Sequence, residues 1–174
     1  MKQTHVMLDL ETMSTEPNAA SVAIGAVAFN EDGDIHGHFY ASVTLESSMS
    51  VGGHVSASTI EWWMKQSNDA REVFLAEDRI HISEALLHFR DWFIQNKGVY
   101  LWGNGAAFDN VVLRSAYTAC DHVAPWEFWN DRCYRTVKAM HPHIKAERVG
   151  THHNALDDAR TQMYHLLEIW EVKE

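Results

Sequence analysis

The first apolar run of the chain ends on two acidic residues, in the segment Asp9-Leu10-Glu11-Thr12. Lys2 to Leu10, with His5, Val6, Met7 and Leu8 at its centre, has the character of a buried strand. Strand side chains alternate between faces, so Asp9 and Glu11 point to the same side. Two like charges at the end of a buried strand repel each other unless a cation lies between them. A fold that tolerates this strand therefore carries it in a sheet whose end opens onto a polar, cation-accepting site. For an all-oxygen pair the simplest cation is magnesium or manganese.

The remaining elements follow from local pattern. Ser21 to Asn30 is rich in Val, Ala and Ile, Glu31-Asp32-Gly33 supplies turn chemistry, and Ile35 to Thr44 follows with partial alternation. These segments form a hairpin and, with the first strand, a three-stranded antiparallel meander. Leu45 to Val55, rich in Ser and Gly, reads as a loop. Ser58 or Thr59 opens a helix through Trp62, Trp63 and Met64, Asn68 or Asp69 opens a short one, and Ser83 caps a longer amphipathic one. Val99 to Trp102 is a short buried strand ended by Gly103-Asn104-Gly105, and a helix follows from Ala107 to Ala119. A short strand over Trp126 to Trp129, a helix over Asp131 to Met140, a polar loop over Lys145 to His152 and a helix over Ala155 to Val172 complete the order. The fold class is α/β, with a mixed sheet (an antiparallel meander plus parallel strands) flanked by helices. Active sites of such sheets collect at strand ends where connections diverge.

Two further acidic motifs lie at the starts of helices. Asn104 to Asp109 follows a strand that ends on glycine, and Asp109 falls in the first turn of the next helix. His153-Asn154-Ala155-Leu156-Asp157-Asp158-Ala159 contains an N-cap at Asn154, with Asp157 at the third helical position. His153 is therefore outside the helix on a loop, and Asp158 is left to face the strand ends.

These three segments resemble, in order and separation, the motifs of the DEDDh 3′-to-5′ exonucleases, and the resemblance spans nearly the whole chain. The segment Thr59 to Gln66, together with Ile24-Gly25-Ala26-Val27, is similar to small exonucleases encoded by phages and prophages. The resemblance implies a ribonuclease H-like fold and hydrolysis of phosphodiester bonds at single-stranded 3′ ends of DNA or RNA, or of short oligonucleotides, releasing nucleoside 5′-monophosphates. It implies Asp9, Glu11, Asp109 and Asp158 as ligands of two Mg²⁺ or Mn²⁺ ions about 3.5–4 Å apart, and His153 as general base. Around them, Thr12, Met13, Asn104, Phe108 and Trp63 are candidate substrate contacts. Many relatives have Gly two residues after the Thr of the first motif, where this chain has Ser14. Met13 is expected to wedge against the last base. Of Trp62 and Trp63, about 100° apart on a helix, one belongs to the core with Ile60 and Met64 and the other to the groove.

Composition sets the remaining bounds. The 174 residues suit one domain, residues 1–174, and 46% hydrophobic content supports a sizeable core. A net charge of −10 argues against a protein that coats nucleic acid through a broad basic face. Within that balance, Lys138, Lys145 and Arg148 are candidates for contacting the phosphates of an incoming strand. No apolar run approaches a bilayer span, and the N-terminus lacks a signal-peptide shape, so the expectation is a cytoplasmic protein with no membrane partner. Cys120 and Cys133 are expected to be reduced thiols. A homodimer is permitted by the seven tryptophans. The competing functions are a catalytically weak nucleic-acid-binding module and a metal-dependent phosphomonoesterase.

Overall fold

The structure, a computed structural model, describes residues 3–171. Lys2 and Val172, at the outer ends of the first expected strand and the last expected helix, lie outside the described residues. β1 (Thr4–Thr12) is the centre of a five-stranded sheet, flanked on one side by β2 (Ser21–Phe29) and β3 (Ile35–Ser42). On its other side stand β4 (Gly98–Gly103) and β5 (Asp131–Cys133), giving the order β3-β2-β1-β4-β5. The β1-β2-β3 pairings are antiparallel, and β1-β4 and β4-β5 are parallel. This is the mixed sheet expected from the sequence.

The alternation of β1 divides the core. Val6, Leu8 and Leu10 face α4 (Ile82–Gln95) and α5 (Asp109–Ala119), packing with Leu86, Phe89 and Leu113. Met7 faces the opposite layer, formed by α6 (Tyr134–Met140) and α7 (Ala155–Glu171), with Trp102, Tyr134 and Met163. Both faces of β1 are covered, which is why its sequence is a continuous apolar run rather than an alternating one. Asp9 and Glu11 fall on the α7 side.

Gly25 of β2, the register partner of Asp9, is what lets α7 approach. A Cβ there would lie 2.2 Å from both the Ala155 carbonyl carbon and the Leu156 nitrogen. The first turn of α7 thus rests directly on the sheet backbone, next to the carboxylate of β1.

Several boundaries differ from expectation for identifiable reasons. The Ser-rich segment after β3 is not a loop throughout: α1 (Leu45–Ser50) forms because its hydroxyls are satisfied. Ser47 Oγ donates to Thr44 O at 2.8 Å, and Ser48 Oγ to Ser21 O at 2.7 Å. The cap of α2 (Ala57–Met64) is Ser56, which accepts from Thr59 N, not Ser58 or Thr59. Ser67 caps α3 (Asn68–Arg71). His81, not Ser83, caps α4, its Nδ1 accepting from Ser83 N at 3.2 Å. Trp126 to Trp129 is not a strand. Trp126 is buried against Phe89, Phe93 and Tyr117 and donates to Asp131 Oδ1 at 2.8 Å, so its apolarity marks a core anchor. Phe128 and Trp129 are exposed on a 3₁₀ turn, and the strand begins at Asp131, which delays α6 to Tyr134. Cys120 and Cys133 are unbridged. Among the described residues, no helix is long and apolar enough to cross a membrane.

Gly25→Ala is expected to destabilise the protein by about 1–3 kcal/mol, because α7 must be pushed off the sheet. Calorimetry should show a Tm fall of roughly 2–12 °C for a chain of this size.

Candidate active site

The three acidic motifs meet at the carboxyl end of β1. A cleft of about 410 Å³ is lined by Asp9, Glu11, Asp109, Asp158 and His153, with Leu10, Trp62, Asn104, Phe108, Arg135 and Gln162 completing the wall. β1 supplies Asp9 and Glu11, the start of α5 supplies Asp109, and α7 supplies Asp158.

Asp109 is buried at the β4-α5 turn. Gly103 leaves room for it, since a Cβ there would lie 3.0 Å from Asp109 Cβ and 2.4 Å from Asn110 Oδ1. Asn110 Nδ2 donates to Leu101 O at 2.9 Å and to Asp131 Oδ1 at 2.8 Å, tying the helix start to both parallel strands. Gly105, at φ +116°, turns the chain, and Phe108 N donates to Gly105 O at 2.7 Å. The helix therefore starts at Asp109 rather than Ala107.

The third motif is arranged as the capping argument requires. Asn154 Oδ1 accepts from Asp157 N at 3.1 Å, and His153 lies outside α7 with φ +62°. Asp157 serves the loop: its Oδ2 accepts from Thr151 N at 2.8 Å. Asp158 faces the cleft, where its Oδ2 accepts from His153 N at 3.0 Å and its Oδ1 pairs with Arg148. The ring of His153 stands edge-on to Trp62 at 4.8 Å between centroids. His152 is exposed and does not line the cleft.

Burial of this much like charge has a cost that appears in the proton affinities. Desolvation, then the neighbouring Asp109, Glu11 and Asp158, pushes the Asp9 carboxyl well above the usual range, and a hydrogen bond from Gln162 partly opposes this. Desolvation, followed by Asp158 and Asp109, pushes Glu11 up to about 8, against the pull of Arg148. Asp109 rises to about 7 by desolvation, restrained by the backbone amides of Leu10 and Asn104 and by Arg135. His153 moves the other way: burial lowers its pKa more than Asp158 raises it, leaving a neutral imidazole at pH 7.

The donor set suits a hard cation. Glu11 Oε1 is buried with no hydrogen-bond partner among the described residues. Ligand atoms of Glu11, His153 and Asp158 lie within 4.8 Å of one another. An unpartnered carboxylate oxygen inside a cluster of carboxylates fits an oxygen-seeking divalent ion.

The candidate substrate contacts divide. Phe108 and Asn104 line the cleft. Thr12 lines an adjoining pocket of about 410 Å³ with Ser14, Thr15, Ser58 and Thr59, and Leu10, Glu11, Trp62 and Phe108 are shared by the two spaces. Met13 does not face this space as a wedge: it is 5% exposed and packs with Val22, Trp63 and Ala155, because its amide, donating to Ala20 O at 2.9 Å, keeps it against the sheet. Of the tryptophan pair, Trp63 is the core member at 3% exposure, its Nε1 donating to Thr12 O at 3.0 Å, and it also lines the Thr12 pocket. Trp62, at 41%, presents its ring to the cleft, and Ile60 and Met64 are exposed rather than core. Arg148 is taken up by Asp158 and the Thr151 carbonyl.

Three wall residues escaped sequence reasoning. Gln162 Nε2 donates to Asp9 Oδ1 at 2.7 Å, and the one available signal was its position four residues after Asp158, one helical turn further on the same face. Leu10 lies within the first motif but carries no polar group to mark it, and Arg135, approaching from α6, belongs to no motif.

The chain belongs to the family of the 3′-5′ exoribonuclease Rv2179c-like domain, whose family model matches residues 4–170. It is a hydrolase of the exonuclease class. An exodeoxyribonuclease of Enterobacteria phage T4 is 25% identical over 155 residues, covering 75% of this chain and 68% of that protein. The fold matches the nuclease domain of 3′hExo, a DEDDh family member bound to rAMP, with a TM-score of 0.66 at 13% identity, covering 97% of this chain and 92% of that one. It also matches E. coli Exonuclease I in complex with a dA16 oligonucleotide, at TM-score 0.63 and 15% identity, covering 94% of this chain and 40% of that one.

Two outcomes are expected. Trp63→Ala should cost about 3–5 kcal/mol of stability by opening a core cavity, whereas Trp62→Ala should cost under about 1 kcal/mol; urea denaturation separates them. The raised carboxyls bind protons in the folded state that the unfolded chain, with acids near their ordinary pKa, has released. Stability in EDTA should therefore be greatest below about pH 4 as far as these groups are concerned, and should fall as pH rises through about 7 to 8. Calorimetric Tm values in EDTA between pH 5 and pH 8.5 should show that decline.

Proposed function

We propose that this protein removes nucleotides one at a time from the 3′ ends of single-stranded nucleic acid or short oligonucleotides, with residues 1–174 acting as one exonuclease domain. The observation that carries the proposal is the convergence of Asp9, Glu11, Asp109, Asp158 and His153 on one cleft. Asp9, Glu11, Asp109 and Asp158 would hold two divalent cations, magnesium or manganese. When bound, these ions supply Lewis acidity at the scissile phosphate and neutralise the charge that develops on it.

The chain's own residues do the rest. His153, uncharged at neutral pH, accepts a proton from the water that attacks the terminal phosphorus. Its left-handed backbone and its contacts with Trp62 and Asp158 fix where the ring can reach. The bond from phosphorus to the 3′ oxygen of the preceding nucleotide breaks as the water oxygen adds. A nucleoside 5′-monophosphate leaves, and the remaining strand keeps a new 3′-hydroxyl. Gln162 orients Asp9 through its 2.7 Å hydrogen bond. The pocket of Thr12, Ser14, Ser58 and Thr59 beside Glu11 suits the terminal nucleoside, with Trp62 and Phe108 offering apolar faces to its base. Aromatic stacking accepts every base, consistent with trimming that ignores sequence. The family description names RNA and the phage relative names DNA, so both polymers are substrates to compare.

The test uses 5′-labelled DNA and RNA single strands of equal sequence, with magnesium, manganese or EDTA, and wild type beside Asp9→Ala and His153→Ala. A ladder shortening from the 3′ end, dependent on metal and reduced at least a hundredfold in both variants, is expected. Release of terminal phosphate with the strand left intact would instead identify a phosphomonoesterase. Binding without cleavage under every metal condition would identify a binding module.

A further inference from the structure

We propose that a second groove, beside the carboxylate cleft, binds the sugar-phosphate backbone on the 5′ side of the scissile bond through Arg135, Lys138 and Lys145. The inference rests on the exonuclease reading and extends it to the part of the substrate that is not cut. The groove, about 640 Å³, lies between α6 and the segment Pro142 to Ala146. It is continuous with the catalytic cleft, because Asn104 and Arg135 line both. A strand whose terminal phosphate sits among the carboxylates therefore has an open path in this direction.

The charge of the groove is opposite to that of the protein. The chain carries 24 acidic against 14 basic residues, yet among the described residues three cations and no acid line this groove. Arg114, Arg148 and Arg160 are each paired with an aspartate. Among the described residues, Lys138 and Lys145 have no ion-pair partner of that kind, and Arg135 stands between the two spaces, its charge also acting on Asp109. Exposed cations collected along one wall create a local positive potential that attracts a polyanion laid along them.

Arg135 and Lys145 are also held in place. A Cβ on Gly105 would lie 3.3 Å from Arg135 Cζ, so the guanidinium packs flat on the glycine turn that begins the second motif. Lys145 Nζ donates to Pro142 O at 2.7 Å, keeping two further N–H donors for a ligand. Lys138 lies one helical turn from Arg135 on α6, with its ammonium 5.9 Å from the Tyr134 ring. The wall beneath is anchored by His165, whose Nδ1 is 2.7 Å from Tyr134 Oη and whose Nε2 is 3.1 Å from Ile144 O. That chain of bonds links α6, α7 and the loop, so the cations share one rigid frame.

A dinucleotide has a single phosphodiester, which occupies the catalytic cleft, whereas longer strands have further phosphates for the groove. Calorimetric titration of the full-length protein with unlabelled di- and hexanucleotides, in calcium without magnesium, reads this directly. Wild type is expected to bind the hexanucleotide at least tenfold more tightly. Lys138→Ala/Lys145→Ala should lower hexanucleotide affinity at least fivefold, leave dinucleotide affinity within twofold, and reduce the salt slope by roughly 1.4, about 0.7 per phosphate contact. Lys138→Glu/Lys145→Glu should enlarge the loss. Equal affinity of wild type for both lengths, no loss in either variant, or an equal loss for both lengths would overturn the groove. The trimming assay on the same preparations separates the two proposals. Trimming without length-dependent binding overturns the groove alone, and length-dependent binding without trimming overturns the catalytic reading alone.

Discussion

The close contact between α7 and the sheet at Gly25 is the constraint on which the site depends. With no Cβ at that position, the helix start rests against β2 at the level of Asp9. Asp158 and Gln162, one turn apart on α7, are thereby brought over β1 from the opposite end of the sequence. The same docking buries Ala155, Ala159 and Met163, so the packing that stabilises the helix also sets the separation of the carboxylates. Beyond β1, Met13 stays against the sheet through its amide bond to Ala20 O and meets Ala155 and Trp63. Core and site are continuous at this point.

Electrostatics explain why so acidic a centre persists in a folded protein. Desolvation raises the proton affinities of Asp9, Glu11 and Asp109, and repulsion from neighbouring carboxylates adds to it at Asp9 and Glu11, which lets the cluster hold protons where it lacks compensating charge. Arg148 approaches from the α7 side and Arg135 from α6, while Gln162 and the amides of Leu10 and Asn104 supply neutral donors. The fixed positive charge thus comes from two arginines, Arg148 paired with Asp158 and Arg135 near Asp109, while Glu11 Oε1 has no hydrogen-bond partner among the described residues.

How much of this could be read from the sequence depended on whether the determining contacts were local. Period-two alternation placed Asp9 and Glu11 on one face of a strand, and N-cap chemistry put His153 outside α7, because both depend only on neighbouring residues. Arg135 carried no such signal: its place in the cleft is set by β5, a three-residue strand that begins after the apolar stretch expected to form it. Trp126 misled there because a buried indole with a hydrogen-bond partner looks the same in sequence whether it anchors a core or sits in a strand. Met13 and Trp63 pointed inward for a shared nonlocal reason. The indole of Trp63 reaches across 51 positions to the Thr12 carbonyl, and no helical wheel contains that contact.

The neighbours Asp157 and Asp158 illustrate how a repeated residue can be two unrelated parts. Asp157 is committed to the amide of Thr151 and lies where even one added carbon on Gly150 would strike it, at 2.1 Å from its Oδ2. Asp158 is turned into the cleft. A helix cannot rotate by one residue without lifting Ala155 off Gly25, so neither carboxylate can take over from the other. In evolutionary terms the doublet offers no redundancy: drift at either position is uncompensated by its twin, and each must be retained for its own reason.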